Sequence, residues 1–241
     1  MNSAVNEPLE IVAHNNVTPA SLAVVGDVTT QGGNILIYAD AGIVVGAQVI
    51  SNDGNIIFNA DWDADNAGSF TQLDNGFAIT AGNGDVDIDA GENIQVASID
   101  GNLVDLFAQT GWIDDYDAGI SITATDLVMD ANRGIDVETQ VSNLAALNRT
   151  SGDIDILNHG NLTITTVGTL TGVTNNGGDI DIEVMSDLYV NAPVTTAGGD
   201  ISLTADDNII HNASGDVTTN GGNFTGPVSY THLTLPTTER V

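Results

Sequence analysis

The chain has no lysine and no cysteine, and its only basic residues are Arg133, Arg149 and Arg240, set against 33 acidic ones. A formal net charge of −30 excludes general nucleic-acid binding, because phosphate contacts need Lys and Arg. It argues equally against anionic lipid and favours cations or positively charged partners. Disulfides contribute nothing to such a chain. No apolar run reaches the roughly 18 residues of a membrane span, so membrane insertion is not expected. Residues 1–10 show neither a basic start nor an apolar stretch, and no secretory signal is read there. Helical periodicity is scarce as well. The best helix candidate is 141–147, and its neighbours read as strands.

What the chain does have is repetition. Gly33-Asn34-Ile35, Gly54-Asn55-Ile56, Gly152-Asp153-Ile154, Gly178-Asp179-Ile180 and Gly199-Asp200-Ile201 share one pattern. Gly84-Asp85-Val86 is a sixth copy and Gly222-Asn223-Phe224 begins a seventh. Each is a glycine, a small polar residue, then an alternation of apolar and other side chains. The glycines are spaced 21 residues apart from Gly33 to Gly54 and from Gly178 to Gly199, 23 from Gly199 to Gly222, 26 from Gly152 to Gly178 and 30 from Gly54 to Gly84. A unit this short cannot bury a core alone, so the copies must stack.

The unit beginning at Gly178 contains three short strands. Ile180 and Ile182 share one face of the first, and Leu188 and Val190 share one face of the second. Val194-Thr195-Thr196 is the third, and Asn191-Ala192-Pro193 and Ala197-Gly198 are the corners. Val217-Thr218-Thr219 and Val28-Thr29-Thr30 repeat the third strand. The expected fold is all-β: a parallel β-helix (β-solenoid) with coils of about 21 residues. Aliphatic columns lie inside it and Asp, Ser and Thr columns outside. About nine coils at roughly 4.8 Å each make a rod on the order of 40 Å long. Asp87, Asp155 and Asp181 are expected at equivalent outward positions, where like charges on adjacent coils repel. Divalent cations or salt would relieve that repulsion.

Three segments follow: 1–20 as an irregular lead-in or partial first coil, 21–226 as the solenoid, and 227–241 as a tail without repeat elements. The peptide from Pro227 to Thr238 resembles the translation of a sequencing adapter and is set aside from fold reasoning. On that expectation the natural chain continues past Gly226.

One family resemblance is carried by Gly134-Ile135-Asp136-Val137-Glu138-Thr139, Ser151-Gly152-Asp153-Ile154-Asp155-Ile156, Asn161-Leu162-Thr163-Ile164 and Gly177-Gly178-Asp179-Ile180. With Gly32-Gly33-Asn34-Ile35 and Gly198-Gly199-Asp200-Ile201, this pattern resembles the repeat region of filamentous-haemagglutinin-like exoproteins and giant bacterial surface adhesins. The resemblance implies a right-handed parallel β-helix acting as the shaft of a long extracellular or cell-surface protein. It further implies attachment to cells, surfaces or biofilm matrix, with a host receptor or glycan as partner and a secretion partner in the outer membrane. It carries over no catalytic or cofactor-binding residue.

Several polar clusters stand out against this frame. Asp61, Asp63 and Asp65 lie in the longest interval, on an insert expected to project from the shaft. Carboxylates at alternate positions resemble the start of a calcium loop, although Asn66 and Gln72 stand where Gly and Glu belong. A solvated acidic loop is the main expectation there, with calcium as the one candidate ion and no other cofactor indicated. The stretch from Ala81 to Ile88 approaches a calcium nonapeptide but has Val86 where Asp is needed. Asp114-Asp115-Tyr116-Asp117 beside Trp112 reads as an acidic corner. The few arginines fall outside any acidic constellation, so a carbohydrate-active β-helix enzyme is the alternative, not the main expectation. His14, His159 and His211 lack ligand spacing. The Val-Thr-Thr triplets could line a threonine face only in part, since neighbouring side chains point oppositely. The expected role is a non-enzymatic adhesin stalk, with a calcium-stabilised module as a further alternative.

Overall fold

The computed structural model describes residues 7–15, 20–116 and 119–226; the adapter-like tail and Asp117 lie outside them. Among the described residues every regular element is a strand, and 25 of the strands belong to one continuous parallel system. In the first coils the chain rotates through three faces. The first turn runs from Leu9–Ala13 on face A through Leu22–Val24 on face B and Val28–Thr29 on face C. It then returns to face A at Ile35–Ala39. This is the expected β-solenoid, and it has about 10 turns. At one strand spacing of about 4.8 Å per turn the shaft is on the order of 45–50 Å long. Stacking already includes Leu9–Ala13, which pairs in register with Ile35–Ala39.

The core is one unbroken cluster. On face B, Leu22, Ile43, Phe70, Ile94, Ile113, Ile135, Ile154, Ile180, Ile201 and Phe224 stack in register as a single column. Face A carries Ile35, Ile56, Val86, Val104, Leu127 and Leu144. Each buried aliphatic contributes roughly 1.5–3 kcal/mol by leaving water. Parallel in-register stacking places like on like, so each step of the column packs much as the last did.

The repeated Gly-Asn/Asp pair has a distinct job at the corner. Asn34 Oδ1 accepts the backbone N–H of Asn55 (3.0 Å), and Asn55 Oδ1 accepts that of Asp85 (3.0 Å). Asp153, Asp179 and Asp200 accept in turn from Asp179 (2.8 Å), Asp200 (2.8 Å) and Asn223 (2.6 Å). The small polar residue is therefore a rung-to-rung acceptor for a corner N–H that would otherwise lack a partner. The glycine before it is required by crowding. A Cβ on Gly54, Gly84, Gly199 or Gly222 would collide with the carbonyl of the glycine one turn below.

The last residue of the Val-Thr-Thr triplets works inward. Thr30 and Thr196 are fully buried, as is Ser51, which follows Val49-Ile50 on the strand stacked against Val28–Thr29. Ser51 donates to the Gly54 carbonyl, Thr30 to that of Ser51 (3.1 Å) and Thr196 to that of Gly178 (2.9 Å). One of each threonine pair therefore closes a corner, which leaves only the other for any threonine face, as expected. Asn148 and Asn175 fill the equivalent corner position in other coils. Asn148 Nδ2 donates to Asn175 Oδ1 (2.9 Å), and Asn175 Nδ2 donates to the Asp179 carbonyl (2.7 Å).

Two expectations are corrected. The copies of the repeat are not all on one face: those at Gly33, Gly54 and Gly84 open face A strands, whereas those at Gly152, Gly178, Gly199 and Gly222 open face B strands. Asp87 is therefore not equivalent to Asp155 and Asp181; it pairs with Ile57 and Asp105 on face A. The slip arises in the middle coils, where Ile99–Ala108 and Ile122–Ala131 each run from face C to face A, and Ile135–Asn148 crosses all three. Losing a corner turn lets the motif resume one face later. The helix candidate at 141–147 lies inside Ile135–Asn148 and is strand. Leu144 and Ala146 stack on Leu127 and Met129, and that tertiary packing overrides local propensity.

The irregular intervals resolve into local insertions. The 26-residue interval contains an antiparallel hairpin, Thr166–Val167 with Leu170–Thr171. It lays Val167 and Leu170 over the outward side chains of Leu103, Val128 and Ala145. The corner asparagines give a direct test of how buried polar groups hold the coils. Asn175→Ala removes the acceptor of the Gly177 N–H (3.0 Å) and one partner each from the Asn148 amide and the Gly152 and Asp179 carbonyls, and is expected to cost about 1–3 kcal/mol in urea denaturation. The partly exposed Thr195→Ala should stay within about 0.5 kcal/mol.

Candidate functional site

The longest interval contains nine extra residues, and the register shows where they go. Ile56 to Phe70 spans six more residues than Ile35 to Ile43, and Phe70 to Ile79 three more than Ile43 to Val49. The first six form the loop carrying Asp61, Asp63 and Asp65. It was expected to project but is laid down on the shaft. Trp62 N donates to the Ala39 carbonyl (3.1 Å), and the indole stacks on Tyr38 with ring centroids 4.4 Å apart. Ala64 and Asn66 adopt left-handed backbone at φ 58° and 66°, which costs an alanine roughly 1–2 kcal/mol. The curl brings one oxygen from each of the three carboxylates within 4.8 Å of the others. Asp61 is 9 % exposed; burial is the main cause raising its pKa, with Asp65 and Asp63 adding to it.

Gln72, at the twelfth position of the calcium-loop pattern, is not part of this cluster. It is fully buried. Its Nε2 donates to the Phe77 and Ser98 carbonyls (2.8 and 2.9 Å), and its Oε1 accepts the N–H groups of Ala97 and Ser98 (2.9 and 3.1 Å). Val86 of the nonapeptide-like stretch is a core residue.

Face B carries a row of like charges. Asp114, Asp136, Asp155 and Asp181 occupy successive rungs in register. Burial raises the Asp155 pKa, with Asp136 and Asp181 adding to it. The segment Ile113–Asp115 is a strand on this face, not a corner. The Asp115 carboxylate accepts the Glu138 N–H (2.8 Å) and is pushed up to about 6, mainly by burial. Arg133 was expected outside any acidic constellation. It instead borders a shallow groove of about 330 Å³ with Trp112, Asp114, Asp136, Asp153 and Asp155. Two of the three histidines among the described residues also have partners from a neighbouring coil: His14 Nδ1 lies 2.8 Å from Asp40 Oδ1, and His159 Nε2 lies 2.6 Å from Glu138 Oε1. The contact with His14 is the main cause holding Asp40 below the ordinary carboxylate range.

Face A carries a second acidic patch that sequence reasoning missed. Asp87 pairs with Asp105 on the next rung, and Asp89 with Phe107. Asp89 and Asp105 are pushed up to about 6, in both cases mainly by burial and then by neighbouring carboxylates. Arg149 meets only one member of this wider cluster: it pairs with Asp130, and its guanidinium lies 4.7 Å above the Phe107 ring. The alternation in Val86-Asp87-Ile88-Asp89 showed outward carboxylates; their mutual approach needed the register.

A third feature follows from the missing corner. Because 99–108, 122–131 and 135–148 turn no corner between faces C and A, the shaft is indented there. The hollow measures about 490 Å³, bounded by Asn83 on one side and by His159 and Asn161 on the other. Exposed Asp100, Asn102, Thr123, Thr125, Gln140 and Ser142 line it with amides, hydroxyls and one carboxylate, and without an aromatic platform.

Among the described residues no helix is long and apolar enough to cross a membrane. The chain matches no protein-family model, no curated protein and no solved structure at a significant level.

The face A carboxylates make stability depend on pH. A raised folded pKa means that between about pH 4 and 6 the folded chain holds more protons than the unfolded one, so stability rises as pH falls from neutral into that window. The melting midpoint is expected to be higher at pH 5 than at pH 7.5. Asp105→Asn should raise it at pH 7.5 by about 2–4 °C, equivalent to roughly 1 kcal/mol after screening, and should change little at pH 5. Thermal melts of both proteins at the two pH values check this.

Proposed function

We propose that this chain is a load-bearing segment of the stalk of a secreted or surface-anchored bacterial adhesin, non-enzymatic, that holds attachment regions away from the cell. One observation supports this reading above the others: the face B column of ten in-register side chains, from Leu22 to Phe224, runs the length of the described shaft without a break. A stalk needs stiffness along its axis, and inter-rung hydrogen bonds with a continuous aliphatic interior supply it. The resemblance of Gly152-Asp153-Ile154 and its copies to exoprotein repeats supports the same reading. So does a surface of one charge sign, which disfavours self-association. An extracellular or cell-surface setting, a receptor or glycan partner and an outer-membrane secretion partner belong to this proposal.

A carbohydrate-active enzyme is the competing reading, favoured by Asp114, Asp136 and Asp155 beside Arg133 in the face B groove. Polar grooves and carboxylate rows also arise wherever coils stack in register, so the groove weighs less than the continuous column. Single-molecule pulling on the full chain distinguishes a stalk from a weak scaffold. The expected trace shows force peaks and length gains of about one coil each, roughly 21 residues at 3.4 Å, or about 70 Å. Extension without a force peak counts against the stalk. Turnover of a polysaccharide panel that is lost in Asp136→Asn replaces the stalk with the enzyme.

A further inference from the structure

We infer that the loop formed by Asp61, Asp63 and Asp65 is a divalent-cation site that prefers calcium. An acidic cluster on its own would not carry this. The decisive feature is Asp61, a residue only 9 % exposed, whose Oδ1 atom is buried and has no hydrogen-bond partner. Its other oxygen, Oδ2, is already engaged by the Asn66 N–H at 3.2 Å. A buried carboxylate oxygen without a donor is costly, because burial strips its water and nothing replaces it. This protein can rarely supply a basic side chain in compensation. Of its three arginines, Arg149 is paired with Asp130 and Arg133 lines the face B groove; Arg240 is outside the described residues.

The cluster around Asp61 has the right donors for a metal ion. Asp63 and Asp65 are exposed, and each brings an oxygen within 4.8 Å of the others and of Asp61. Oxygens this close can share one ion, and an incomplete, irregular donor set suits calcium, which binds in flexible geometry, better than magnesium, which demands a near-ideal octahedron. All three donors are hard carboxylate oxygens, which disfavours zinc and copper. Asp65 Oδ1 also accepts the Ala67 N–H at 2.9 Å, while Asp63 makes no hydrogen bond among the described residues and is free to turn toward an ion. Calcium takes six to eight oxygens, so water must complete the shell. Three protein ligands and a wet remainder place the affinity near the weak end known for extracellular modules, on the order of 10⁻⁴–10⁻³ M. At such concentrations the site would fill outside cells. Bound calcium would tie the insert to the shaft at Trp62, which already stacks on Tyr38.

Trp62 makes the test direct, since it lies between two of the ligands in sequence. The chain has two tryptophans, so Trp112→Phe leaves Trp62 as the only indole. Terbium(III), which substitutes for calcium, is titrated into the full chain carrying Trp112→Phe, with excitation of the indole. The expected result is saturable sensitised emission that calcium displaces at concentrations at least tenfold lower than magnesium. Asp63→Asn together with Asp65→Asn should weaken binding by at least tenfold while the far-ultraviolet dichroism stays that of the parent, because both side chains are exposed. Asp61→Asn provides a second variant that keeps shape and removes charge. Emission that does not saturate, or that persists unchanged in these variants, would assign the binding to the general acidity of the shaft and overturn the site. Either outcome leaves the stalk reading standing, which rests on the stacked column.

Discussion

Everything in this molecule depends on parallel pairing in register. When each residue sits above its counterpart one turn away, a side chain that is useful once is useful at every level. An asparagine or aspartate that accepts a corner N–H finds the same N–H above it, as the series Asp153, Asp179, Asp200 shows. The same constraint makes glycine necessary at the position before it, where a Cβ would strike the glycine carbonyl of the coil below. Isoleucine recurs in the column because a β-branched side chain packs well on a copy of itself across a strand spacing.

Register also imposes a cost. It brings Asp114, Asp136, Asp155 and Asp181 together on face B, and Asp87 with Asp105 on face A. No lysine and few arginines are available to separate them. Half-buried carboxylates such as Asp89 and Asp105 relieve part of the repulsion only as pH falls toward 6 and they take up protons. Part of the negative charge also has a structural role, because Asp153, Asp179 and Asp200 accept backbone hydrogen bonds. The acidity is therefore more than a coat for solubility.

Departures from the basic coil account for each distinctive surface. Lengthening one turn after Ile56 creates the Asp61 loop. Inserting the hairpin at 166–171 covers an apolar strip on face A. Omitting the corner in three successive coils opens the hollow lined by Thr123 and Gln140. A regular solenoid is nearly featureless, so places where the period fails are where a partner or an ion can be held.

Local residues determined a good deal. Glycine spacing near 21, two-residue alternation and turn residues at the bends were enough for stacked parallel coils, because these signals belong to single strands and corners. The triad of Asp61, Asp63 and Asp65 was legible for the same reason: its three members lie within five positions of one another. Other features were decided only by tertiary structure. The repeats at Gly84 and Gly152 look alike, yet they occupy different faces, since three nearly equal faces give a short motif no means of marking which one it starts. Asp87 thereby separates from Asp155, residues 141–147 become strand against the Leu127 and Met129 rung, and Arg133 joins carboxylates from coils above and below. Each of these depends on how many residues the intervening turns consume, and that sum is settled by which side chains can share a common interior.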